Sequence, residues 1–181
     1  MTRKIKISSE FTYFAAIVLL SLAVAILSAA DFGISMIVAP AYLLSLKAGF
    51  LSFGQAEYAV QALVFIVLCI VLKKIRLSYL FSFGTCLIYG LVLDLWRKIP
   101  FLNPAATLPG SMNFTLRIIM FVIGMMLTSF SVALFFKTYL FPQVYDFFVK
   151  AVSAKYGIRL PVLKTIVDIS CLTASVIMTF A

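Results

Sequence analysis

Histidine is absent from the 181 residues, and acidic side chains number only six. The three cysteines, Cys69, Cys86 and Cys171, lie inside apolar runs and form no C-x-x-C pair. Zinc, haem and histidine-based catalysis therefore lose their usual ligands and bases. The thiols read as buried, free and structural. No Walker motif, no G-x-G-x-x-G and no nucleophile beside a base occurs. Neither an enzyme nor a cofactor or metal site is expected. Charge is scarce as well: 12% of residues are charged, against about 25% in a soluble domain.

What fills the space is apolar. Sixty-four per cent of the chain is hydrophobic and the mean hydropathy is +1.16. No soluble fold of this length has interior enough for that surface, so the expected partner is a lipid bilayer. The formal charge of +9 would suggest nucleic acid in a soluble chain. Here the basic residues sit in short clusters between apolar runs. That pattern reads as membrane topology and excludes nucleic acid as a partner.

Five runs reach the ~20 apolar residues that a membrane helix needs. They are about 11–30, 55–72, 77–96, 114–136 and 161–181. The start, with its basic residues and "SAA", imitates a signal peptide, but its apolar run exceeds the ~7–15 residues of an h-region. It is read as an uncleaved first helix. With the N-terminus cytoplasmic, Lys47, Arg97, Lys98 and Arg117 face out and the other eleven basic residues face in, as the positive-inside rule asks. A multi-pass membrane location is expected. The loop 100–113, with three prolines and Gly110, reads as an irregular external connection.

That loop divides the chain into a first repeat, 1–99, and a second, 114–181. A shift of 107 residues overlays 51–61 on 158–168: each half has a long span, an apolar linker with proline, and another span. The expected fold class is an all-α membrane protein of two inverted three-helix repeats. Five helices lie in this chain, and a sixth is expected beyond it.

Both halves contain an apolar stretch that does not divide into whole crossings. Residues 11–46 carry Asp31 as their sole charge. As one helix they would measure ~54 Å, against ~30 Å of hydrocarbon. The chain is therefore expected to cross once, break near 30–33, and lay a shorter segment, 31–46, against or back into the membrane. Asp31 would cap the N-terminus of that segment, Gly33 would permit the bend, and Pro40 would limit the helix after it. Residues 137–152 are expected to do the same. Either segment reads equally as a re-entrant stretch lining a site or as an amphipathic interfacial helix.

An ionised carboxylate in a bilayer usually marks a site or a partner. Asp168 stands seven positions after Pro161, ~10 Å down its helix, and ranks deepest. Glu57 lies about one turn inside its helix. Asp94 sits beside Trp96, Arg97 and Lys98, where charge is cheap. Glu57 and Gln61 share a helix face, as do Lys164 and Asp168, the pair expected to interact. For Glu57 and Lys164 a satisfied structural role with snorkelling is the preferred reading over a cavity-facing one, and for Asp168 the two readings stand level. Ser21, Ala25 and Ala29 form a small-residue strip, and Gly84 and Gly90 suit close helix packing.

The stretches "ADFGISMIVAPAYLL" (30–44), "LSFGQAEYAVQALVFIVLCIVL" (51–72) and "SYLFSFGTCLIYGLVLDL" (78–95) resemble the YczE/YyaS/YitT-type group of bacterial membrane proteins. The likeness is clear over about 11–96 and faint over 114–181. Leu51-Ser52-Phe53-Gly54 matches the group's helix start. Gly33 and Ser35 are kept without the Pro-x-Asp that follows in members, and the second copy keeps Pro142 without its glycine. The resemblance implies an inner-membrane protein of about six helices in two related halves, of transporter-like character.

The leading functional expectation is a small secondary transporter or permease of unspecified substrate. Its partners would be a small molecule or ion and a second copy of the chain. Asp31, Gly33, Ser35, Glu57, Gln61, Pro142, Lys164 and Asp168 are the candidate lining residues. The alternative is a non-transporting scaffold or assembly factor acting through helix–helix contacts.

Overall fold

The computed structural model describes residues 9–73, 77–103, 112–138 and 143–180. Every regular element among them is helical. In chain order these are α1 (Ser9–Ala30), α2 (Ala39–Ala48), α3 (Phe53–Leu72), α4 (Leu77–Trp96), α5 (Phe114–Lys137), α6 (Val144–Tyr156) and α7 (Leu160–Phe180), with a 3-10 turn at Pro100–Leu102 between α4 and α5. Five stretches are long and apolar enough to cross a membrane: Ser9–Ala30, Phe53–Leu72, Tyr79–Trp96, Phe114–Phe135 and Leu160–Phe180. Even the 18-residue one is ~27 Å long, close to the hydrocarbon thickness. Outward side chains such as Ile66, Ile70, Met126, Ile169 and Ile177 stay exposed, which lipid satisfies and water would not. The chain is an all-α multi-pass membrane protein.

The two stretches that resisted division into crossings hold the two short helices. With 10 residues and 13 residues, α2 and α6 reach only ~15 and ~20 Å. Neither can cross. Gly33 takes φ 111°, a left-handed backbone that glycine adopts without penalty. Two expectations for the first stretch are corrected. The residue before α2 is Val38, not Asp31, because seven residues of turn and coil intervene. Pro40 opens α2 rather than limiting it, since the first turn has no need of its N–H. Pro142 lies outside the described residues.

The helices pack as two compact units, one built on α1 and α5, the other on α2, α3, α4, α6 and α7. In the first, Tyr13 meets Phe135 at one end and Phe32 meets Phe114 at the other, so α1 and α5 run antiparallel. Gly124 lets them close: a Cβ there would stand 2.7 Å from Leu27 Cγ. Asp31 follows α1 with φ 56°. Arg117 of α5 gathers the loose end, its Nε donating to Ala30 O at 2.9 Å and its Nη2 to Asp31 O at 2.9 Å. The guanidinium also lies over the Phe32 ring, 4.8 Å from its centre.

In the second unit, α3 and α4 are antiparallel neighbours. Gly54 lies against Gly90, and Phe65 meets Phe83 further along. Tyr42 of α2 packs edge-on against Phe53, 5.2 Å between ring centres. A small core of Val149, Val152 and Leu163, flanked by Val71, Phe148 and Val167, joins α6 and α7 to the end of α3. There Lys155 Nζ donates to Val71 O at 2.7 Å, supplying a donor to the final turn of α3. Tyr79 and Phe147 bring α4 against α6, 5.1 Å between ring centres.

Candidate functional site: a buried polar centre in the five-helix unit

The site begins with the way α3 starts. Ser52 is extended, and its hydroxyl accepts the Gln55 N–H at 3.1 Å while Gln55 Oε1 accepts the Ser52 N–H at 3.0 Å. This reciprocal capping box fixes where the helix begins. Asp94, from the last turn of α4, completes it by accepting the Gly54 N–H at 2.8 Å and the Ser52 hydroxyl at 2.5 Å. A carboxylate at a helix N-terminus answers both its free N–H groups and its dipole.

With the start fixed, Glu57 and Gln61 fall on one face, one turn apart, and both are wholly buried. Gln61 Nε2 donates to Glu57 Oε1 at 3.0 Å. The other oxygen of each, Glu57 Oε2 and Gln61 Oε1, has no hydrogen-bond partner. The hydroxyl of Tyr145, on α6, is likewise buried and unpartnered. Four helices bring groups within electrostatic reach of the Glu57 carboxylate: α3 itself, α4 with Cys86 and Tyr89, α6 with Tyr145, and α7 with Cys171. Burial first, then the Glu57 charge, pushes the Tyr145 phenol well above its usual range. It stays a neutral hydroxyl, able both to donate and to accept.

A buried polar atom without a partner costs about 1–3 kcal/mol, and more when charged. The oxygens of Glu57, Gln61 and Tyr145 are therefore expensive to keep unpartnered. Chemically they offer a carboxylate, an amide carbonyl and a phenol. That set suits a ligand carrying positive charge or N–H and O–H donors. Among the described residues no group of three His, Cys, Asp or Glu is placed to hold a metal ion.

The sequence candidates separate. Glu57 and Gln61 come together as their spacing required. Glu57 departs from the satisfied role weighed for it, since one oxygen is unpartnered. Asp31 belongs to the α1–α5 unit, 77% exposed and ion-paired with Arg117 at 3.0 Å. Gly33 is exposed in irregular, left-handed backbone, and the Ser35 carbonyl accepts the N–H groups of Val38 and Ala39 at 3.0 Å each, a local turn. Lys164 is exposed and Asp168 half-buried. The expected pairing of these two is not made among the described residues, whose ion pair is Arg117–Asp31. Lys164 extends outward instead, as long basic side chains on apolar helices do.

Three participants escaped the sequence reading. Tyr145 lies in the stretch 137–152, read only as re-entrant or interfacial, and nothing local ties α6 to α3. Asp94 looked like a cheap charge at the membrane boundary. The capping box was legible as Ser52-x-x-Gln55 before an apolar run, and could have been found.

Neither the curated proteins nor the solved structures contain a match to this chain. Over residues 7–181 the sequence matches a family of unknown function, DUF6198, and the protein belongs to that family.

Proposed function

We propose that this protein is a small membrane transporter and that the Glu57–Gln61–Tyr145 centre is where its solute or coupling ion is held. The observation that supports the reading is a fully buried carboxylate inside a membrane-length helix, hydrogen-bonded through one oxygen only. Ionisable groups at that depth are retained for a function or for a partner. Beside it lies α6, a helix too short to cross, the kind of element that lines solute sites in transporters. A cytoplasmic N-terminus fits this reading, because the larger basic clusters then lie on the inner side of the membrane. The likeness to the YczE/YyaS/YitT-type group points to the same class of activity.

The test is access from water. In a variant with the native cysteines replaced, single cysteines at positions 61, 145 and 149 are treated in intact cells with a membrane-impermeant thiol reagent. Labelling at 61 and 145 with protection at 149 supports a solute path. Protection at all three supports instead a scaffold that works through dry helix contacts.

A further inference from the structure

We propose that Glu57, Gln61 and Tyr145 bind a single monovalent cation, either a proton or a sodium-like ion. The inference takes its site from the transport reading, but it concerns occupancy rather than movement. The argument is one of charge and partners. Removing a carboxylate from water costs several kcal/mol, and a neighbouring opposite charge must answer it. Gln61 supplies one neutral N–H, to Oε1.

Among the described residues no basic side chain supplies the rest, since Glu57 Oε2 has no hydrogen-bond partner. Of the lysines on the helices packed around α3, Lys155 is engaged at Val71 O. Lys47 on α2, Lys150 on α6 and Lys164 on α7 are exposed. The groups that feel the Glu57 charge are Cys86 and Tyr89 on α4, Tyr145 on α6 and Cys171 on α7. The remaining titratable group on α2, Tyr42, packs on Phe53. Thiols and phenols carry no positive charge in either protonation state.

The compensating charge therefore comes from outside the chain. One carboxylate balances one charge, and a divalent ion would ask for more acidic ligands than this centre has. The unpartnered oxygens, Glu57 Oε2, Gln61 Oε1 and Tyr145 Oη, are hard donors of the kind alkali ions take. A proton would instead sit on Oε2 and turn it into a donor.

Full-length protein in lipid nanodiscs distinguishes the two sources. In one arm, thermal unfolding is followed while sodium chloride replaces N-methylglucamine chloride. In the other, the infrared band of a protonated carboxylic acid is recorded between pH 6 and 9. The expected result is a saturable sodium-dependent rise in Tm, or a protonated-carboxyl band at neutral pH, with either signal lost in Glu57→Gln. Tyr145→Phe and Gln61→Leu keep the carboxylate and should weaken sodium binding, or shift the titration of the band, by about tenfold, the worth of one charge-assisted hydrogen bond. Neither signal in the wild-type protein would overturn the proposal. So would a signal that persists in Glu57→Gln or, should that variant not fold, one unmoved by both Tyr145→Phe and Gln61→Leu. Cation binding with a site closed to water sinks transport alone, and an open site without cation binding sinks this inference alone.

Discussion

Asp94 holds the first turn of α3 from the last turn of α4, one carboxylate oxygen on the Gly54 N–H at 2.8 Å and the other on the Ser52 hydroxyl at 2.5 Å. Both groups sit at a helix N-terminus, where the dipole favours an anion. Glu57 begins one turn later, so the same contact sets the level of the polar centre. Replacing Asp94 with alanine removes both acceptors and is expected to cost about 1–2 kcal/mol, in line with lost caps. Asp94→Asn keeps one acceptor and should cost less. Thermal unfolding in a fixed detergent checks the order, and equal stability of all three proteins would refute it.

The glycines of this helix pair are not equivalent. A Cβ on Gly54 would stand 2.6 Å from Asp94 Oδ2 and collide with the Gly90 carbonyl, whereas a Cβ on Gly84 meets nothing within 4 Å. Gly54→Ala should therefore destabilise by about 1–3 kcal/mol, the usual cost of overpacking. Gly84→Ala should be neutral or slightly stabilising, because alanine is the better helix former. Comparing the two in one unfolding assay separates packing from propensity. A shift of the same sign for both would show that α3 and α4 do not depend on this close approach.

Arg117 and Asp31 differ in what they contribute to their contact. The aspartate is 77% exposed, and pairs of that kind are worth about 0–1 kcal/mol. The arginine also donates to the Ala30 and Asp31 carbonyls and stacks on Phe32. Asp31→Asn should hardly change Tm, while Arg117→Ala should lower it clearly, and Arg117→Lys, which lacks the flat fork, should fall between. High salt should leave most of the Arg117 contribution in place, because carbonyl contacts are screened less than the ion pair.

These contrasts explain what was readable. The five spans were legible because apolar length is a property of the local sequence, and the boundaries fell within two residues of Ser9, Phe53, Leu77, Phe114 and Leu160. The Glu57–Gln61 pair was legible because four-residue spacing fixes a shared face. Asp31 was misread because its partner, Arg117, lies 86 residues away. Depth along a helix is not burial. Distance from the helix end ranked Asp168 above Glu57, whereas burial is set by the helices that surround a position. Glu57 has α4, α6 and α7 groups around it, and Asp168 is half-buried. Tyr145 could join the site only once α6 was placed against α3.

The sharpest expectation concerns Glu57 itself, because charge and shape act there in opposite directions. Glu57→Gln keeps the volume and still offers a carbonyl to the Gln61 N–H, while it removes the need for a compensating charge. Replacing a buried charge by a neutral group of the same shape is often neutral or stabilising, so Tm should hold or rise in sodium-free buffer. Glu57→Ala leaves a void and strips Gln61 Nε2 of its acceptor, and should cost about 2–4 kcal/mol. Both variants should fail in any uptake or efflux assay that the wild-type protein supports. A stable Glu57→Gln protein with lost transport assigns the carboxylate to function. Loss of stability in Glu57→Gln as large as in Glu57→Ala would mean that the charge itself holds the helices together, and Glu57 would then be a structural residue.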